Sequence, residues 1–377
     1  MPSGEVGKLP VHVQICRGYA MDISGTIRRN LPGFLFCVIL AFFTLQFEAW
    51  LKGFGEGSFP YKLVKTYHIN WVIIGIFGGI IIRNVLGKKF PGFLVPGIGN
   101  WARPIIKPGI ILMGATLTFN KLIIIGFKGI VIVFVCLTVV FSVTILLGNK
   151  LNIPKKFTYL LAMGNGVCGV SAVIATTPVV RAKPEESIYA ISCILMYGVI
   201  ALILYPILGY SFHIPDAVYG AWAGTSVHNT AQAIAVGAMY TPLNDQSAEV
   251  SAAIKLARNS LLPFLVVALG FVMARDMRRE TAVKIPYLKI IAEYFPVFVL
   301  GFFGLAIWNT VSPFSKEQLV FIKKWWMYLT LTGFIGVGLL TDLKVFRAIG
   351  GYKPFVVFSV ACVILMTVSY SLAYFLF

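Results

Sequence analysis

The chain has 377 residues, of which 58% are apolar and 12% charged, with a mean hydropathy of +0.85. A soluble domain carries about 25% charged residues, so an ordinary soluble globular protein is excluded. The net charge is +18, but the cations fall in short loops between apolar runs, where Lys and Arg set membrane topology. No long or aromatic-interleaved basic stretch points to nucleic acid, and the partner implied is the lipid bilayer.

Residues 1–30 form a polar tail without the apolar centre of a signal peptide, and no small-residue cleavage site follows the first apolar run. That run, 31–51, reads as a retained anchor at the start of a transmembrane transporter domain, 31–377. A helical crossing needs roughly 20 apolar residues. Eleven candidates follow in order: 31–51, 69–86, 93–117, 130–147, 157–180, 188–209, 217–239, 250–274, 286–308, 325–342 and 355–377. Helices are expected, since lipid cannot satisfy an open sheet edge and barrel-strand alternation is missing. The fold class is therefore all-α and polytopic, with about 10–11 transmembrane segments.

Gly75 and Gly79 in the second segment offer a small-residue packing face. The third segment is broken by Pro96, Pro104 and Pro108, with Gly97 and Gly99 between them. The fifth and seventh, 157–180 and 217–239, have small or polar residues at their middles. Five of the six cysteines (Cys37, Cys136, Cys168, Cys193, Cys362) lie in apolar segments without metal-ligand spacing and read as buried small hydrophobes. An N-terminus inside places most clustered cations on the cytoplasmic side.

Two internal echoes suggest inverted repeats. The run from Gly114 to Gly126 resembles that from Gly338 to Gly350, an odd number of segments away. The run from Gly164 likewise resembles that from Gly224. If both of these segments cross fully, the second pair is parallel. If each is a re-entrant hairpin around the true span 188–209, the pair is inverted, and Arg181 and Lys183 move inside. Inverted repeats with broken helices build many secondary transporters.

The two breaks are the strongest candidate site. A half-helix starting at membrane depth presents free amides and a positive dipole end, which favour an anion. The first break supplies Asn165, Gly166, Val167, Cys168, Gly169 and Ser171. The second supplies Thr225, Ser226, His228 and Asn229, with Gln232 one turn on. Lys255 and Arg258, at i and i+3, share a helix face. With so few carboxylates inside the membrane, they either receive an anion or snorkel to the interface. Lys107 poses the same choice, while Arg103 reads as interfacial. His228 is suited to hydrogen bonding or to titration.

No G-x-x-x-x-G-K-[ST] loop and no H-E-x-x-H motif occurs, and neither break holds an Asp or Glu. No catalytic residue, metal ligand or cofactor is assigned, and the chain is not expected to be an enzyme. The strings Gly166–Ala175, Gly220–Gln232, Ile254–Arg258, Phe295–Gly301 and Gly338–Leu343 together resemble the YeiH-type sulfate-exporter family of bacterial membrane proteins, over roughly residues 30–375. The resemblance implies a fold related to cation/proton antiporters and anion transporters, with a core moving against a scaffold, and sulfate as substrate. Asn229 stands where an acidic residue is expected in many relatives, so carboxylate coupling there is in doubt.

The expected function is secondary transport, as an exporter, of a small anion: sulfate, a sulfonate or a carboxylate. An anion channel, or a membrane enzyme or scaffold, are the alternatives. The expected location is the inner membrane, and a homodimer is one open assembly.

Overall fold

The computed structural model describes residues 23–54, 58–59, 70–240, 246–276, 296–343 and 351–377. Among these residues there is no strand, and six helices are long and apolar enough to cross a membrane. They are α1 (Ile23–Lys52), α2 (Trp71–Leu86), α4 (Phe119–Lys150), α7 (Pro184–Ser211), the kinked pair α10 (Gln246–Ser260) and α11 (Leu262–Asp276), and α14 (Tyr352–Leu376). Shorter elements fill the gaps, α3 (Ile106–Met113), α5 (Lys155–Gly166), α6 (Val170–Val180), α8 (Asp216–Ser226), α9 (Thr230–Tyr240) and α12 (Phe298–Val311), together with the long but more polar α13 (Lys316–Leu340). The chain is an all-α polytopic membrane protein. Its first helix begins within the sequence-defined tail, and residues 1–22 lie outside the described set.

The third segment is irregular where its prolines remove amide donors. It passes from a 3-10 turn (Gly92–Leu94) through a π turn (Ile98–Ala102) into α3. The π turn is closed by Arg103 N–H donating to the Ile98 carbonyl at 2.9 Å.

Both segments with central breaks are hairpins. Helices α5 and α6 hold 12 and 11 residues, about 18 and 16 Å at 1.5 Å per residue, against a hydrocarbon core of ~30 Å. Phe157, near the start of α5, meets Tyr189 in the second turn of α7, with ring centroids 5.3 Å apart, so α6 returns the chain to the face where α5 began. A Cβ on Gly164 would lie 3.0 Å from the Val173 side chain, a contact that a continuous helix could not make across nine residues. In the second hairpin, Tyr219 near the start of α8 stacks on Tyr240 at the end of α9, centroids 3.9 Å apart. The re-entrant alternative therefore holds. One span, α7, separates the hairpins, so they enter from opposite faces and their tips meet.

The eleven apolar segments are therefore not all crossings, and contacts among the described residues gather at two faces. On one face, here side A, Arg83 Nη2 donates to Asp342 Oδ2 at 3.2 Å, and Tyr189 Oη donates to the Gly351 carbonyl at 2.7 Å. On the other, side B, Trp71 N–H donates to Glu48 Oε1 at 3.2 Å, and Asn70 Nδ2 donates to the Met239 carbonyl at 3.2 Å. Arg181 and Lys183 lie at the base of the first hairpin with Lys155 and Lys156, on side A.

Two packed units result. In the first, α1, α2 and α3 pack on α13, and α12 packs on α3. Gly79 of α2 and Gly338 of α13 bring two backbones together, since a Cβ on either would sit 3.1 Å from the other's Cα. The packing face read at Gly75 and Gly79 is this contact. The second unit joins α4, the hairpins, α7, α10 and α14. The five described cysteines are free and buried.

Candidate functional site

The hairpin tips are built by small residues and one left-handed position. Gly169 has φ +67°, a conformation open to glycine, and a Cβ there would come within 3.3 Å of the His228 backbone. The tips thus touch at their backbones. Four half-helix ends converge: the C-termini of α5 and α8, and the N-termini of α6 and α9.

Lys255 and Arg258 of α10 are 0% and 2% exposed, and both serve the C-termini. Lys255 Nζ donates to the carbonyls of Val227 and His228 at 2.7 Å each, and of Val167 at 3.3 Å. Arg258 Nε donates to the Gly166 carbonyl at 2.6 Å, while Nη1 and Nη2 reach the carbonyls of Thr225 and Asn165. Last-turn carbonyls have no intrahelical partner and carry the negative end of the dipole. Both cations therefore have backbone partners. Their burial leaves neither side chain snorkelling to the interface, and an incoming anion is not the sole partner open to them. The sequence showed the shortage of carboxylates but not these six acceptors.

The N-termini of α6 and α9 face a cavity of about 680 Å³ between the two units. Its polar wall includes Cys168, Ser171, Asn229, Thr230 and Asn259, and opposite stand Arg103, Lys107 and Phe298. Val173 N–H makes the bond to the Gly169 carbonyl, so the amides of residues 170–172 precede the first helical bond of α6. Asn229 Oδ1 accepts from Ala231 N–H at 3.0 Å and caps α9. Lys107 Nζ lies 5.9 Å from the centroid of the Phe298 ring, within cation–π range. No carboxylate occurs among the described lining residues.

The other predicted residues face away from this cavity. His228 Nε2 lies 2.9 Å from Cys362 Sγ of α14, and its ring meets Phe358 edge-on at 5.4 Å. Asn165 Nδ2 donates to the Phe358 carbonyl at 3.4 Å. Ser226 Oγ pairs with Tyr205 Oη at 2.6 Å, Thr225 Oγ1 donates to the Ala221 carbonyl at 2.8 Å, and Gln232 fills the space beside Gly198 of α7. Gly166 is packed on Phe141, 2.4 Å from where its Cβ would be. Thus Cys168, Ser171, Asn229 and Lys107 meet at the cavity, whereas the remainder build the crossing behind it.

Sequence reasoning missed Asn259 and Thr230, and it left Arg103 at the interface. Asn259 Nδ2 donates to Thr230 Oγ1 at 2.9 Å, and its buried Oδ1 has no protein donor. An amide inside an apolar segment beside Arg258 was the available signal.

Residues 32–358 match the family described as conserved hypothetical protein 698. Two UPF0324 membrane proteins of Nitratidesulfovibrio vulgaris are similar to the chain. One is 32% identical over 337 residues, covering 87% of this chain and 89% of the relative. The second is 30% identical over 342 residues, covering 87% and 90%. A UPF0324 membrane protein of Clostridium tetani is 28% identical over 355 residues, covering 91% and 96%. No solved structure matches. The expected resemblance and the observed helical architecture converge: the chain belongs to the conserved hypothetical protein 698 family, that of the UPF0324, or YeiH-type, membrane proteins.

Proposed function

We propose that this protein is a secondary transporter that binds a small anion in the cavity between its two units and carries it chemically unchanged. The observation that carries the reading is the cavity wall: N-termini of two opposed half-helices on one side, Arg103 and Lys107 on the other, and no carboxylate among the described lining residues. Free amides, positive dipole ends and two cations favour negative charge from both walls. The ligands proposed are Cys168, Ser171, Asn229 and Lys107, joined by Arg103, Thr230 and Asn259. Asn165, Gly166, Val167, Gly169, Thr225, Ser226, His228, Gln232, Lys255 and Arg258 support the crossing.

Side A carries Arg28, Arg29, Lys88, Lys89, Lys150, Lys155, Lys156, Arg181 and Lys183, so we assign it to the cytoplasm of a bacterial-type inner membrane. The cavity lies in the side-A half, among the first part of the irregular segment, the α10–α11 kink and the start of α12. At side B the units are tied by Asn70 to the Ala238 and Met239 carbonyls and by Thr116 to Glu249. This arrangement suits an inward-facing state, and rocking of one unit on the other would alternate access. Sulfate export, a sulfonate or a carboxylate are the substrates that this reading covers.

Proteoliposome flux tests the proposal. Saturable anion uptake, stimulated by anion on the opposite side and weakened in Lys107→Ala, is expected. Anion conductance without counter-transport would identify a channel instead, and absence of any anion flux would remove the reading.

A further inference from the structure

The cavity is larger and less polar than a bare inorganic anion requires. Its volume of about 680 Å³ lies within the ~300–1,000 Å³ of organic-ligand sites, whereas water takes only ~30 Å³ in the liquid. The polar groups are also unevenly placed. Amides and side-chain donors gather on the hairpin wall, while the opposite wall sets the apolar Pro104, Pro296, Val297 and Phe298 beside Arg103 and Lys107. Val297 is 65% exposed, and the Phe298 ring is half-buried beside Lys107. A tetrahedral ion held at the half-helix ends would leave these apolar side chains uncovered.

We infer that the preferred substrate is an organic anion, a sulfonate or carboxylate head on an alkyl or aryl body, with the head at the α6 and α9 N-termini and the body against Phe298 and Val297. This rests on the anion-transport reading and narrows it, because inorganic sulfate becomes the weaker ligand. Burying a methylene gains about 0.8 kcal/mol, roughly a fourfold gain in affinity at 1.4 kcal/mol per tenfold. The body supplies affinity and the head fixes orientation.

The test is calorimetric binding to the purified full-length protein of sulfate, methanesulfonate, butanesulfonate and benzenesulfonate, with neutral benzenesulfonamide as control. Affinity is expected to rise about three- to fourfold per methylene from methane- to butanesulfonate. Benzenesulfonate should exceed sulfate at least tenfold, and benzenesulfonamide should not bind measurably. Phe298→Ala should weaken benzenesulfonate about tenfold more than methanesulfonate. Equal affinity for sulfate and benzenesulfonate would overturn the organic-anion inference and leave anion transport standing. Equal binding of sulfonamide and sulfonate would overturn it too, since the head would then be idle. If no anion binds, both readings fall.

Discussion

At the scale of single residues, the buried cations Lys255 and Arg258 and the exposed, cavity-lining Lys107 have different work. Arg258 bonds three carbonyls from two helices with one planar fork, a geometry an ammonium cannot copy. Removing it strands buried acceptors, each worth about 1–3 kcal/mol. Arg258→Ala is therefore expected to lower the melting temperature of the purified protein strongly, and Arg258→Lys less so. Unchanged melting in Arg258→Ala would mean that the carbonyl cluster is satisfied without it. Lys107 touches no such cluster, so Lys107→Gln should leave melting near wild type while weakening anion binding about tenfold, the scale of one charge-assisted hydrogen bond. The sequence identified all three residues as intramembrane cations. It could not separate them, because the carbonyls that engage Lys255 and Arg258 come from residues about 30 and 90 positions away.

At the scale of elements, the hairpins decide the topology. Half-helices of 11 or 12 residues can reach only about half of a ~30 Å core, so each pair must return to its own face. Single cysteines at Lys156 and Lys183 should be labelled from the same face by an impermeant maleimide, and a cysteine at Phe212 from the other. Opposite labelling of Lys156 and Lys183 would make the first hairpin a crossing. The breaks and their mutual likeness were legible in sequence through Gly164, Gly166, Gly169 and Gly224. Crossing and re-entry were not, since both fit the same apolar run, and only contacts such as Tyr219 on Tyr240 distinguish them. The third segment was legible as broken because Pro96, Pro104 and Pro108 each remove an amide. Its π turn, and the way this turn leaves Arg103 and Lys107 on the cavity wall, depend on packing against α1 and α13.

At the scale of the whole molecule, one cavity separates two units that remain tied at the opposite face. Thr116 Oγ1 bonded to Glu249 joins the irregular segment to the first turn of α10, and Asn70 joins α2 to the end of α9. A Thr116→Cys/Glu249→Cys pair should cross-link under oxidation. The cross-link should stop transport and leave binding from side A intact. Transport that persists through a complete cross-link would place the moving boundary elsewhere. The membrane class and eleven apolar segments follow from composition and run length, which average over many residues. The division into two units does not, because it is set by which faces pair, as at Gly79 and Gly338. The same limit hid the backbone carbonyls that engage Lys255 and Arg258.

On the proposed function, the anion sits before the α6 and α9 N-termini, opposite Lys107, and not on the Lys255–Arg258 pair. Calorimetric titration of benzenesulfonate into wild type, Lys107→Gln and Arg258→Lys, each corrected for its folded fraction, tests this most directly. About a tenfold loss of affinity is expected in Lys107→Gln, with near-wild-type affinity in the folded Arg258→Lys protein. Wild-type affinity in Lys107→Gln, together with lost affinity in folded Arg258→Lys, would contradict it and return the anion to the buried pair.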